Sequence, residues 1–121
     1  MTYNQAIEKL GNREQKKIAN NTYLVRRNNG AVAIRLHATD ILTFTPDGLV
    51  TIRTGGWQTV TTKDRINQYT SVGLYQKAGV WYYRSGDEFS EGDVVRAETG
   101  AFLRDAKGRT VNQLCNGEDR P

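Results

Sequence analysis

Residues 31–52 read A-V-A-I-R-L-H-A-T-D-I-L-T-F-T-P-D-G-L-V-T-I, and this stretch decides the fold. Val32, Ile34 and Leu36 recur at period two, with Arg35, His37 and Thr39 on the alternate positions. Such alternation predicts a strand over 31–39 with one buried and one wet face. Asp40 to Thr45 continues with Ile41, Leu42 and Phe44. Pro46-Asp47-Gly48 supplies a turn, because proline presets φ and glycine accepts positive φ. Leu49 to Thr54 alternates again, with Val50 and Ile52 on one face and Thr51 and Arg53 on the other. On the N-terminal side, Thr22 to Arg27 is rich in strand formers, and Asn29-Gly30 is a strong hairpin signal. The expectation is an antiparallel meander with Val32, Ile34, Leu36, Val50 and Ile52 in the core.

Further out, the patterns shorten. Thr2 followed by Gln5 is a capping-box pair, and Ala6, Ile7 and Leu10 form an apolar stripe, so a helix is expected over about 2–10. Gly11-Asn12 stops it. Arg13 to Lys17 reads as a further helical turn or a linker. Gly55-Gly56 closes the meander. Residues 61–69 read as a short helix with a threonine cap, with Asp64 near its positive N-terminal end. Strands are expected over 72–76, 80–84 and 94–97. Residues 101–103 and 110–114 read as a tail hairpin, and 116–121 as a flexible tail. The fold class is therefore α+β, mainly β. It is one domain over 1–115, a small antiparallel bent sheet or partly open barrel over about 18–97 with one or two short helices.

Composition bounds the chemistry. The 121 residues include one cysteine, Cys115, and one histidine, His37. No intrachain disulfide can form, and the usual zinc sites are excluded. The carboxylates are scattered through turns, so neither a metal nor a cofactor is called for. No apolar run reaches the roughly 20 residues of a membrane span, and no secretory signal pattern opens the chain. Net charge is +4. Residues 13–65 hold nine basic and four acidic side chains, a local charge of +5, which points to an anionic partner.

Two features could receive an anion. Arg35, His37 and Thr39 share a predicted face that Arg53 adjoins, and guanidinium groups bind phosphate bidentately. The bland alternative is a solvated face. The segment Gly55 to Thr62 pairs two glycines with threonine hydroxyls and a helix start; Gly56, Trp57 and Thr59 are its candidate contacts. Trp57 is expected in the core, with stacking on a base as the competing reading. If the protein is an enzyme, His37 and Thr39 resemble the His-x-Thr half-motif of two-histidine phosphoesterases, which a dimer would have to complete. Tyr75, Trp81, Tyr82 and Tyr83 suggest a nucleic-acid platform, although Trp81 and Tyr83 are expected on one buried face with Tyr82 opposite.

The strings N-T-Y-L, I-R-L-H-A-T-D-I, P-D-G and T-G-G-W-Q-T-V-T-T-K-D-R-I-N, spread over residues 21–67, resemble a family of small uncharacterised proteins of tailed bacteriophages. The resemblance implies a viral protein made in the host bacterial cytoplasm, and it implies no reaction. The combined expectation is a non-enzymatic phage accessory protein that binds a phosphate-bearing ligand. In its most specific form it sequesters a nucleotide signal of bacterial defence. The alternatives are a nucleic-acid-binding protein and a phosphodiesterase with paired His37 residues across a dimer. Short strands with open edges also predict a homo-oligomer, a dimer in the first instance.

Overall fold

The computed structural model describes residues 1–104. Its elements are α1 (Tyr3–Leu10), β1 (Gln15–Ala19), β2 (Thr22–Arg26), β3 (Val32–Leu36), β4 (Thr39–Phe44), β5 (Leu49–Ile52), α2 (Val60–Tyr69), β6 (Tyr75–Lys77), β7 (Val80–Tyr82), β8 (Asp93–Arg96) and β9 (Phe102–Arg104). Seven strands form one antiparallel sheet in the order β1-β2-β3-β4-β5-β8-β9, and β6-β7 is a separate hairpin. The open order, with β1 and β9 at its edges, makes this a sheet and not a closed barrel.

One face carries the core. Val32, Ile34, Val50 and Ile52 are fully buried and Leu36 nearly so. They join Leu24, Leu42, Phe44 and Val95 from the neighbouring strands. Between Ile34 and Arg35 the β3–β4 register shifts, because Ile34 pairs with Leu42 while Arg35 pairs with Asp40. The bulge leaves Ile41 without a partner on β3 and lets consecutive Ile41 and Leu42 both be buried. Both helices cover this apolar face. α1 is opened by the Thr2–Gln5 capping box and closed at Gly11, and it buries Ala6 and Leu10. α2 buries Thr62, Ile66 and Tyr69, one stripe at helical spacing. Trp81, Tyr83 and Phe89 complete the core from beyond β6.

Several local expectations are corrected. Residues 15–19 form edge strand β1 and not a helical turn or linker; Lys16 pairs with Leu24 and Lys17 with Tyr23. Lysines suit an edge, where they discourage further pairing. β3 ends at Leu36. His37 and Ala38 form a two-residue turn, with His37 at φ 55°. The face shared by Arg35, His37 and Thr39 therefore does not exist as strand alternation. α2 starts at Val60 on a Thr59 cap, and Asp64 lies beyond its first turn. β9 pairs with β8. The second half of the expected tail hairpin and the expected flexible tail lie outside the described residues.

Candidate functional site

Three segments meet at the rim of the sheet. The first is the β3–β4 turn. Its His37 amide donates to the Asn21 carbonyl at 2.9 Å, which ties it to the β1–β2 turn and offsets the cost of a left-handed histidine. The second is the loop 53–59, whose shape is set by Glu91. That carboxylate accepts from the Thr54 amide at 2.7 Å, the Gly55 amide at 3.2 Å and the Thr54 hydroxyl. Gly55 sits at φ 64°, and a Cβ there would lie 3.0 Å from the Thr39 hydroxyl oxygen. Glycine lets this loop close onto Thr39 without strain. The third segment is the start of α2. The Thr59 hydroxyl accepts from the Thr62 amide at 3.1 Å and lies 3.0 Å from the Thr62 hydroxyl.

These segments enclose a cavity of about 530 Å³, lined by apolar Leu36, Ala38 and Ile41, by His37 and Trp57, and by threonines at positions that include 39, 54 and 59. Its size and apolar lining with a few polar groups are those of a small-molecule site. Trp57 is 68% exposed, which corrects its expected place in the core. A second cavity of about 470 Å³ shares Ala38 and Thr39 with the first and adds Arg27, Asp40, Thr43, Arg53, Gly55 and Glu91. There Arg27 holds Asp40 bidentately, at 2.9 and 2.7 Å. That contact raises the Arg27 pKa further above its already high value. Arg53 is exposed and, among the described residues, forms no salt bridge.

The structure thus brings together His37, Thr39, Trp57 and Thr59, and it places Arg53 in the adjoining cavity. Gly56 lies on the connecting loop but lines neither. Arg35 is elsewhere, on the sheet face turned away from the core, with its guanidinium 5.1 Å over the Tyr23 ring. Because Ala38 lies in a turn between them, His37 and Thr39 do not have the strand geometry of a phosphoesterase half-motif. Trp81 and Tyr83 are buried as expected, while exposed Tyr75 stacks on Tyr82 at 5.7 Å. Glu91, Thr54 and the Arg27–Asp40 pair are not among the residues expected at the site from sequence. The only local hint of the first was an acid inside a Gly-Asp turn, and its partners lie more than thirty residues upstream. Among the described residues no cluster of metal-ligating side chains occurs.

Fold and site define a small α+β protein with an open antiparallel sheet and a ligand-sized cavity at its rim. The chain belongs to the Kyanoviridae Gp96 protein family, a cyanophage family of unknown function, which matches residues 2–102. No curated protein and no solved structure matches it significantly. It is therefore a bacteriophage protein, as the sequence resemblance implied. No described helix is long and apolar enough to cross a membrane.

Proposed function

We propose that this phage protein binds a phosphate-bearing ligand of the nucleotide class across the two adjoining cavities. One observation carries the reading. An apolar cavity with an exposed tryptophan shares Ala38 and Thr39 of its lining with a polar one that holds Arg53, which forms no salt bridge among the described residues. A base stacks on Trp57 and a phosphate meets Arg53, so two unlike halves of one molecule each find a matching wall. Thr59 is engaged in capping α2, so it shapes the cavity more than it donates into it. Binding without turnover suits a site with a single histidine. Sequestration of a nucleotide signal in the host cytoplasm is the biological form of the proposal, and a homodimer is its expected assembly, which sedimentation at several concentrations tests.

Intrinsic fluorescence provides the test. Trp81 is 3% exposed, so a ligand-induced change in emission reports on Trp57. Mononucleotides and cyclic dinucleotides are titrated beside adenosine and inorganic phosphate. The expected result is quenching and a raised melting temperature with at least one nucleotide, and weaker effects from the nucleoside or phosphate alone. Trp57→Ala abolishes the signal. Arg53→Ala weakens binding about tenfold to a hundredfold by calorimetry, the loss of one charge-assisted hydrogen bond of about 1.5–3 kcal/mol. No response to any nucleotide, or wild-type affinity in Arg53→Ala, overturns the reading.

A further inference from the structure

The two helices and the residues from β7 pack on the apolar face of the main sheet. The opposite face carries a cross-strand row fixed by register. Lys17 on β1 pairs with Tyr23 on β2, Tyr23 with Arg35 on β3, and Arg35 with Asp40 on β4. Arg53, just past β5, extends the row: its amide donates to the Ile41 carbonyl, and it shares a cavity with Arg27, Asp40 and Thr43. From β1 to β5 the row crosses four strand spacings, about 19 Å.

The charge along this row is one-sided. Lys17 and Arg53 are exposed and Arg35 is half-buried. Asp40, its one acid, is already neutralised by the bidentate Arg27. Glu91, at the far wall of the cavity beside Arg53, is turned into the Thr54–Gly55 amides. The next row runs Gln15, Val25, Ala33, Thr43, Thr51 and Val94 in register and contains no acid. Val25, Ala33 and Val94 of that row are buried, so the accessible part of the face beside the cations is lined by Gln15, Thr43 and Thr51. In the middle stands Tyr23 with the Arg35 guanidinium over its ring at 5.1 Å. Guanidinium planes and aromatic rings are the two surfaces on which unpaired bases stack, and cations to either side track a phosphate backbone.

We infer that this sheet face, through Lys17, Tyr23, Arg35 and Arg53, binds single-stranded nucleic acid. Bases stack on the Tyr23–Arg35 pair while Lys17 and Arg53 neutralise phosphates on either side. A duplex fits less well because its base faces are closed. The Trp57 cavity takes no part in this binding; Arg53, which lines the adjoining polar cavity, is the one residue shared with the proposed nucleotide site.

The experiment is fluorescence anisotropy of a labelled short oligothymidylate, and of its duplex with oligoadenylate, against the full chain. Wild type is expected to prefer the single strand, with a log–log salt slope of about −1.4 for the two phosphates neutralised by Lys17 and Arg53, at about 0.7 each. Arg35→Ala should lower affinity about tenfold with the slope unchanged, and Lys17→Ala should make the slope shallower by about 0.7. Tyr23→Leu should lower affinity about tenfold with the slope unchanged, and Tyr23→Phe should restore it, because stacking needs the ring and not the hydroxyl. Trp57→Ala should bind the oligonucleotide like wild type, which keeps this result separate from nucleotide binding at the rim. Circular dichroism checks that each variant is folded. Absence of binding at low salt, equal affinity for the duplex, or wild-type binding by both Arg35→Ala and Tyr23→Leu overturns the inference.

Discussion

Ile34→Ala is expected to lower the unfolding free energy by about 2–5 kcal/mol, the range for emptying a fully buried isoleucine site. Ile34 lies on β3, inside the sheet, and pairs with Leu24 on one side and Leu42 on the other, both fully buried. Truncation therefore leaves a cavity walled by strands that cannot close in without losing their own hydrogen bonds. The neighbouring Arg35→Ala changes a side chain on the opposite face and removes a cation–π contact of about 0.5–1 kcal/mol. Urea denaturation of the two variants measures the contrast, with the midpoint shifting and the slope unchanged. A loss below about half a kcal/mol in Ile34→Ala would mean that the strand is out of register by one residue, since a slip of one exchanges its faces.

The meander was legible because its information is local. Alternation fixes which side chains are buried, and Asn29-Gly30 and Pro46-Asp47-Gly48 mark two of its turns. β1 was misread because Gln-Lys-Lys-Ile-Ala lacks the alternation of a half-buried strand. Its polarity reflects an edge position, and an edge is a property of the whole sheet. The turn at His37-Ala38 carries no glycine, proline or asparagine. Its positive φ is held by a hydrogen bond to Asn21, sixteen residues away. That one unrecognised turn moved His37 off the supposed arginine face and into the rim cavity. A tryptophan beside a turn in a small domain is expected in the core, and Trp57 is exposed. What holds it out is a loop pinned by Glu91 and closed against Thr39, and neither partner is near it in sequence. The candidate site was thus readable as a set of residue types, while its grouping depended on contacts between segments.

Tyr83→Phe is expected to cost about 1–3 kcal/mol near neutral pH, the penalty for taking a hydrogen-bond donor from a buried carboxylate. The Tyr83 hydroxyl donates to Asp93 Oδ2 at 2.7 Å, and the Ser90 amide donates to the same oxygen at 2.8 Å. Phenylalanine keeps the ring and its edge contact with Phe89, so the loss isolates the hydroxyl. The pair also predicts a pH dependence with a definite sign. Burial first, then the hydrogen bond to Asp93, then the charges of Asp93, Asp87 and Glu91 push the Tyr83 phenol far above its ordinary value. In the unfolded chain the phenol ionises near pH 10. Below that pH both states keep the proton, and the stabilisation is fully present. Above it the unfolded state loses the proton while the folded state holds it, so the unfolded state binds fewer protons and stability falls with rising pH. The slope from this one residue approaches about 1.4 kcal/mol per pH unit. Tyr83→Phe lacks that contribution. The stability gap between wild type and variant should therefore be constant from about pH 7 to 9 and shrink above about pH 10. Urea titrations of both proteins across this range measure the gap. A gap that stays constant into alkaline solution would show that the Tyr83 proton is not held by the fold, and a variant as stable as wild type at neutral pH would show that Asp93 does not need this donor.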